Sequence, residues 1–386
     1  MAGGRMIYFD NAATSFPKPR EVNREVLRCL TCYGGNAGRG SHALSLAAAE
    51  KIFECRERVA ELFSVFDPAR VFFTMNTTHS LNTVIKGTLK QGDHVLISDI
   101  EHNAVYRPIY KLAKEGKITF DIYPSMICDE RASPTRICAG IARMIKPKTR
   151  AVIATWASNI CSYTLPVAEI GAFCHRHGIR FIVDGAQGAG HIPLDFDGAE
   201  TDALCLPGHK GLLGPQGTGA VLLGKDFSID TLMEGGNGVN SLEGDMPEFS
   251  PERYEAGTLP APALAGLCEG IKWISERGID SISEHEKKLF RYAREKLCNM
   301  NGIKLYAPEY EGSVLLFSVD GVPSETVARR LDEEEICVRG GFHCCPLGHK
   351  MLGTDKDGAT RISFGVFNTE REIDIFVDAL RKIKQN

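Results

Sequence analysis

No run of apolar residues in this 386-residue chain is long enough to cross a bilayer, which weighs against a membrane-spanning helix. Charge of one sign is lacking too. The 45 Lys and Arg residues against 49 Asp and Glu leave a formal charge of -4, spread without long runs. That distribution offers no basic stripe to a nucleic acid or an anionic membrane surface, so neither is expected as a partner. There is no internal repeat or low-complexity tract, and tryptophan is scarce: Trp156 and Trp273 read as packing residues. No Gly-rich stretch forms the strand-to-helix Gly-x-Gly-x-x-Gly turn in a suitable place, which argues against a dinucleotide enzyme. The segment from Met1 to Arg5 is too short and too polar for a signal peptide, and a cytoplasmic location is expected. Cysteine, by contrast, is plentiful. Thirteen is an odd number, they are scattered, and Cys29, Cys205 and Cys268 sit inside apolar patterns; this fits reduced thiols better than a disulfide framework.

Short apolar runs alternate with helical patterns through the first two thirds, the signature of stacked βα units and a mostly parallel sheet. The clearest strands are 71–74, 94–98, 151–155, 180–183, 203–206 and 220–223, with helices near 47–63, 80–89, 106–115 and 167–177. After Gly257-Thr258-Leu259-Pro260 a long helix, about 262–277, leads out of this pattern. Beyond it, helices near 282–298 and 324–334 and a strand near 313–319 have α+β character. The expectation is a large α/β domain over 16–262 and a smaller α+β domain over 263–386, joined by 1–15.

In an α/β sheet, ligands lie beyond the carboxyl ends of the strands. Four such ends are chemically loaded: Thr74-Met75-Asn76-Thr77-Thr78, Ser98-Asp99-Ile100-Glu101-His102, Asp184-Gly185-Ala186-Gln187 and Pro207-Gly208-His209-Lys210. Taken singly, each is ordinary. An Asp after a strand commonly caps a helix, a Lys in a Gly-rich turn is commonly solvated, and a lone His is commonly structural. Together they supply an amine, a carboxylate, phosphate donors and a flat ring, the set that pyridoxal 5′-phosphate (PLP) requires. Lys210 suits the aldehyde, Asp184 the pyridinium nitrogen, His102 the ring face and Gln187 the ring oxygen. Thr77 and Thr78, at a helix start, suit the phosphate.

The chain resembles the class V aminotransferase-fold PLP enzymes, and within them the cysteine desulfurase and selenocysteine lyase group. The resemblance runs from Tyr8-Phe9-Asp10-Asn11-Ala12-Ala13-Thr14-Ser15 through Gly38-Arg39-Gly40-Ser41-His42, Glu101-His102-Asn103-Ala104, Ser158-Asn159 and Asp184-Gly185-Ala186-Gln187. It continues in Gly208-His209-Lys210, Glu255-Ala256-Gly257-Thr258, Arg361-Ile362-Ser363 and Phe367-Asn368-Thr369. It implies the type I PLP-dependent aminotransferase fold, with a mostly parallel seven-stranded sheet in the large domain and a smaller α+β C-terminal domain. By resemblance, Lys210 is the Schiff-base lysine, Asp184 the pyridinium partner, His102 the stacked ring, and Gln187 and Asn159 neighbours of the ring oxygen. Thr78 and His209 contact the phosphate. Thr258 reaches the partner subunit's site in a homodimer, Arg361 clamps the substrate carboxylate, and Arg39 lies near the same entrance. One departure stands out: Pro207 occupies the place where the family carries a phosphate-binding hydroxyl.

The segment Arg339-Gly340-Gly341-Phe342-His343-Cys344-Cys345-Pro346 resembles the group II desulfurases, which place the active cysteine at the position of Cys344. The implied activity takes sulfur from L-cysteine, leaving L-alanine and a persulfide on Cys344 for an acceptor protein. A thiolate is needed for that attack, and His343 and Arg339 are the neighbours expected to favour it. Cys345 reads either as a resolving thiol or as a packing residue. His343, Cys344, Cys345 and His349 also have the residue types of a zinc site, though adjacent cysteines suit tetrahedral chelation poorly and no metal is expected. Selenocysteine as substrate, or a β-lyase or transaminase in which Cys344 is incidental, remain alternatives.

Overall fold

The computed structural model describes residues 6–38 and 40–385. Its centre is a seven-stranded sheet in the order Val71–Thr74, Gly219–Leu223, Ala203–Pro207, Arg180–Asp184, Thr149–Thr155, His94–Ser98, Thr119–Tyr123. Only Gly219–Leu223 runs against its neighbours; the others are parallel, so their carboxyl ends share one edge. The inner strands are nearly unbroken apolar runs because helices cover both faces. Phe73, Val152, Phe181, Leu204 and Leu222 pack on one side, and Phe72, Ile153, Ile182, Cys205 and Val221 on the other.

All six strands expected from the sequence are present. The seventh, Thr119–Tyr123, lies at the sheet edge with a partly exposed Thr-Phe-Asp-Ile-Tyr pattern, which lacks the continuous apolar run that marks the others. The long helix Ala261–Arg277 packs against helices Arg20–Arg28 and Ala43–Leu62, and helix Ile279–Cys298 follows it.

A second, antiparallel sheet has the order Arg339–Gly341, Ala359–Ser363, Val314–Val319, Ile303–Tyr306. It has its own core, including Phe9, Phe290, Phe317, Ile362, Phe364 and Phe376. The N-terminal strand Ile7–Tyr8 pairs in parallel with Ile336–Cys337, so the chain start is joined to this C-terminal part. Both tryptophans are buried. All thirteen cysteines are free thiols. No described helix is long and apolar enough to cross a membrane.

Candidate active site

Where the parallel strands end, a cavity of about 520 Å³ opens. Its walls include Asn76, Thr77, Thr78, His102, Asn159, Asp184, Gln187, His209, Lys210 and Arg361. Nine of the expected site residues thus share one hollow. Each arrives by a local device. Asn76 caps helix Thr77–Thr88, its side chain accepting from the His79 amide at 2.9 Å. The first amides of a helix have no acceptor within it, which makes this end of the cavity a place for an anion. His102 caps helix Asn103–Lys114 in the same way: its Nδ1 accepts from the Ala104 amide at 3.0 Å. In the neutral ring that bond leaves the proton on Nε2.

Asp184 ends its strand almost fully buried, with Oδ1 accepting from the Ala186 amide at 3.0 Å. Burial pushes its pKa up, against the opposing pull of that amide and of Lys210. Lys210 is lowered to about 8, by burial first, with Arg361 and Arg339 adding to the effect and Asp184 resisting it. Burial and the charge of Lys210 lower both His102 and His209 to about 4, so both rings are neutral near pH 7. Gln187 spends one N–H on the Ala12 carbonyl at 2.9 Å.

Two buried polar atoms on the cavity wall, Thr77 Oγ1 and His209 Nδ1, have no hydrogen-bond partner among the described residues. Unmet polar atoms at such positions are costly unless a ligand satisfies them. Their place beside a helix start fits a phosphate group. A carboxyl and an amine converging from other walls fit a pyridine carrying an aldehyde. The donor set therefore fits PLP. Pro207 is buried as the last residue of its strand, opposite Gly219, and adds no hydroxyl to this set.

The opposite wall comes from the antiparallel sheet. Arg339 and Arg361 are directly paired across adjacent strands, and both line the cavity. Like charges in register oppose sheet formation, so their convergence points to an anion between them. Arg361 is already engaged: Nη2 donates to Asp10 Oδ1 at 2.6 Å and Nη1 to the Asn159 carbonyl at 2.8 Å, while Nε has no partner among the described residues. Sequence reasoning assigned Arg339 to Cys344 alone; its cavity position follows from strand register, which neither segment spells out.

Cys344 does not line the cavity but stands exposed at its edge. Two bonds fix its loop there: the Asn103 amide donates to the Cys344 carbonyl at 2.8 Å, and Asn159 Nδ2 donates to the His343 carbonyl at 2.7 Å. Asn159 therefore ties the cysteine loop to the cavity wall. Arg339 Nη2 lies 3.9 Å from the Cys344 sulfur. His343 behaves differently from expectation. Its ring is buried against His349, with ring centroids 5.3 Å apart, and burial lowers its pKa to about 2. A neutral imidazole turned inward lends no positive charge to a thiolate. Cys345 is also buried, its sulfur 3.4 Å from the Ile100 carbonyl and its pKa raised by burial, so packing is its role and a resolving thiol is not. No group of three or more His, Cys, Asp or Glu side chains is arranged to hold a metal ion among the described residues.

One expected site residue is elsewhere. Thr258 is exposed and lines a separate groove of about 570 Å³, where Asn36 Nδ2 approaches its hydroxyl at 3.4 Å. Arg39 lies outside the described residues.

Residues 7–376 match the model of the aminotransferase class-V family. A probable cysteine desulfurase of Methanothermobacter thermautotrophicus is 33% identical, the alignment covering 98% of this chain and 94% of the relative. One from Pyrococcus abyssi is also 33% identical, over 98% of this chain and 94% of the relative. Among solved structures, the apo cysteine desulfurase of Thermococcus onnurineus NA1 superposes with a TM-score of 0.88 at 29% identity, covering 98% of this chain and 95% of that one. The cysteine desulfurase CsdA of Escherichia coli does so with a TM-score of 0.85 at 25% identity, over 98% and 95% of the two chains.

Proposed function

Since the chain belongs to the aminotransferase class-V family, we propose that it is a PLP-dependent cysteine desulfurase, converting L-cysteine to L-alanine while a sulfur atom passes to Cys344. The observation that carries this reading is the convergence of Lys210, Asp184 and His102 on one cavity, with an exposed cysteine fixed at its edge.

Thr77, Thr78 and His209 would hold the cofactor's phosphate, Asp184 its pyridine nitrogen, Gln187 and Asn159 its ring oxygen, His102 its face, and Lys210 its aldehyde. When bound, PLP supplies an electron sink for charge developing at the substrate Cα. The remaining work falls to the chain. Arg361 and Arg339 bind the substrate carboxylate, and charge-assisted bonds of this kind orient as well as attract. Lys210, with its pKa near 8, is poised to take and return the Cα proton near neutral pH. The Cys344 thiolate attacks the substrate sulfur. An S–S bond forms and the C–S bond breaks, so cysteine plus enzyme thiol become alanine plus enzyme persulfide. Exposure of Cys344 leaves that persulfide open to an acceptor protein. Thr258 sits outside the cavity of its own chain, which supports a homodimer in which it serves the partner's site. Selenocysteine differs from cysteine in one atom and would follow the same course.

The test is to add PLP to the purified protein, follow its visible absorbance, then add L-cysteine and measure alanine. A visible band that Lys210→Ala abolishes, and alanine formation that Cys344→Ser abolishes while keeping the band, are the expected results. Full alanine turnover in Cys344→Ser would instead favour a β-lyase or transaminase, and a protein that takes up no PLP would end the proposal.

A further inference from the structure

The segment carrying Lys210 is a loop, yet its amine must hold one position among Asp184, His102 and Arg361. The loop's own turn supplies two bonds, from the Leu213 amide to the Lys210 carbonyl at 2.9 Å and from the Gly214 amide to the Gly208 carbonyl at 2.8 Å. The Gly208 amide also donates to the Thr218 carbonyl at 2.8 Å, and the carbonyls of His209 and Lys210 are gripped by the N-terminal segment Thr14-Ser15-Phe16-Pro17-Lys18. The Ser15 amide and Thr14 Oγ1 each donate to the His209 carbonyl at 3.1 Å. Lys18 Nζ donates to the same carbonyl at 2.8 Å and to Ser15 Oγ at 2.7 Å. Ser15 Oγ in turn donates to the Lys210 carbonyl at 2.8 Å.

Lys18 is odd among the lysines of this chain. It is largely withdrawn from water, and its pKa falls to about 8 from burial alone, with no carboxylate among the described residues offsetting the loss of hydration. An unpaired, partly desolvated ammonium costs stability, while a neutral side chain of similar length would fill the same space. What the ammonium adds is a pair of charge-assisted hydrogen bonds, about twice as strong as neutral ones, directed at the peptide on the amino side of Lys210 and, through Ser15, at the one following it.

We propose that Lys18 is a positioning residue for Lys210: together with Ser15 it clamps the carbonyls of His209 and Lys210, so that the Lys210 amine is held in the cavity before any cofactor arrives. This rests on the reading of Lys210 as the amine that captures PLP. Lys18 touches neither cofactor nor substrate, and its effect is on how readily Lys210 reacts. Since Lys18 acts on the Lys210 carbonyl only through Ser15 Oγ, losing either side chain breaks that link, and losing Ser15 as well should add little once Lys18 is gone.

The test measures the rate at which PLP becomes attached to the unloaded full-length chain, read as growth of the visible band, with borohydride reduction and peptide mass mapping to identify the lysine labelled. In the native chain the label is expected on Lys210. Lys18→Met and Ser15→Ala should each slow labelling by about tenfold, the value of one charge-assisted bond, the double variant should be no slower than the slower single one, and Lys18→Arg should recover most of the rate. A label found on another lysine in the native chain would overturn the function proposed above. A label on Lys210 with native rates in Lys18→Met and in Ser15→Ala would overturn only the clamp, as would two effects that multiply in the double variant. A lower unfolding temperature without slower labelling would likewise reduce Lys18 to a structural residue; should Lys18→Met fail to fold, the Ser15→Ala rate alone decides.

Discussion

Asp184 and Glu101 are both buried carboxyls, at the ends of strands separated in the sheet by Thr149–Thr155, and their surroundings give them different work. Asp184 faces the cavity with one oxygen held by the Ala186 amide. Glu101 does not line the cavity; it accepts from the Ser98 hydroxyl and, at 2.8 Å, from the Thr155 amide, while Oε2 has no partner among the described residues. Burial pushes Glu101 up to about 8, with Asp184 adding to the rise, so it is chiefly the neutral acid at pH 7. Asp184→Asn is expected to keep the fold and cut kcat by about 10²-fold or more, the scale of losing a fixed electrostatic partner in a dry site; near-native turnover would remove Asp184 from its assigned place. For Glu101→Gln little change in kcat is expected, and the informative quantity is stability against pH. A carboxyl whose folded pKa exceeds its unfolded value stabilises the fold below the unfolded pKa, and that contribution is lost as pH rises toward the folded pKa. The window here is about 4.5 to 8. Over that range Glu101→Gln should gain stability relative to the native chain, by an amount on the order of a few kcal/mol at about 1.4 kcal/mol per pH unit. Urea unfolding at pH 5 and pH 8 checks this, and a stability difference that stays flat with pH would show Glu101 to be ionised.

At the level of elements, the cysteine loop is held by a relay of neutral side chains. His343 Nε2 lies 3.2 Å from the Arg339 carbonyl and can only donate to it. Its Nδ1 must then accept, so His349 Nε2 donates across 3.1 Å. His349 Nδ1 in turn accepts from the Thr354 hydroxyl at 2.6 Å. The relay matters because His343 and Cys344 both have positive φ, at 50° and 55°, a conformation that costs non-glycine residues about 1 kcal/mol or more each. His349→Ala should release the loop, lowering kcat for alanine formation by about tenfold while raising the rate of Cys344 alkylation in the resting protein; an unchanged alkylation rate would mean the loop stands without the relay. None of this was legible in sequence, where His343 read as a charge neighbour of Cys344, because its partners come from the helix Pro346–Met351 and the turn after it. The same limit hid the pairing of Arg339 with Arg361, which is a matter of strand register. What sequence did reveal has an equally physical cause. In a parallel sheet buried on both faces, strands are unbroken apolar runs and their polar followers all emerge at one edge, so Asp184, His102, Thr78 and Lys210 could be gathered without coordinates. The edge strand Thr119–Tyr123 escaped because half of it faces water.

For the molecule as a whole, one chain holds the cavity and leaves the groove around Thr258 open. That groove is lined by Asn36, Phe53, Arg56 and Glu255 as well as Thr258. Arg56 and Glu255, in its lining, form a buried bidentate pair at 2.9 Å. Phe53, in the same lining, is more than half exposed. An exposed aromatic ring on a groove wall is a contact that another surface can cover, and the homodimer proposed for this chain would cover it with a second copy while carrying Thr258 toward the partner's cavity. Phe53→Glu tests the idea at a position where glutamate suits the helix Ala43–Leu62. A charge buried without a partner in an interface costs several kcal/mol, so the variant should sediment as a monomer at concentrations where the native chain is a dimer. Without the partner's Thr258 each cavity would then lose a cofactor contact, and PLP should dissociate about tenfold faster, at an unfolding temperature close to native. A Phe53→Glu variant that remains dimeric would place the interface elsewhere, and a monomer that retains PLP as firmly as the native protein would show that each cavity is complete within one chain.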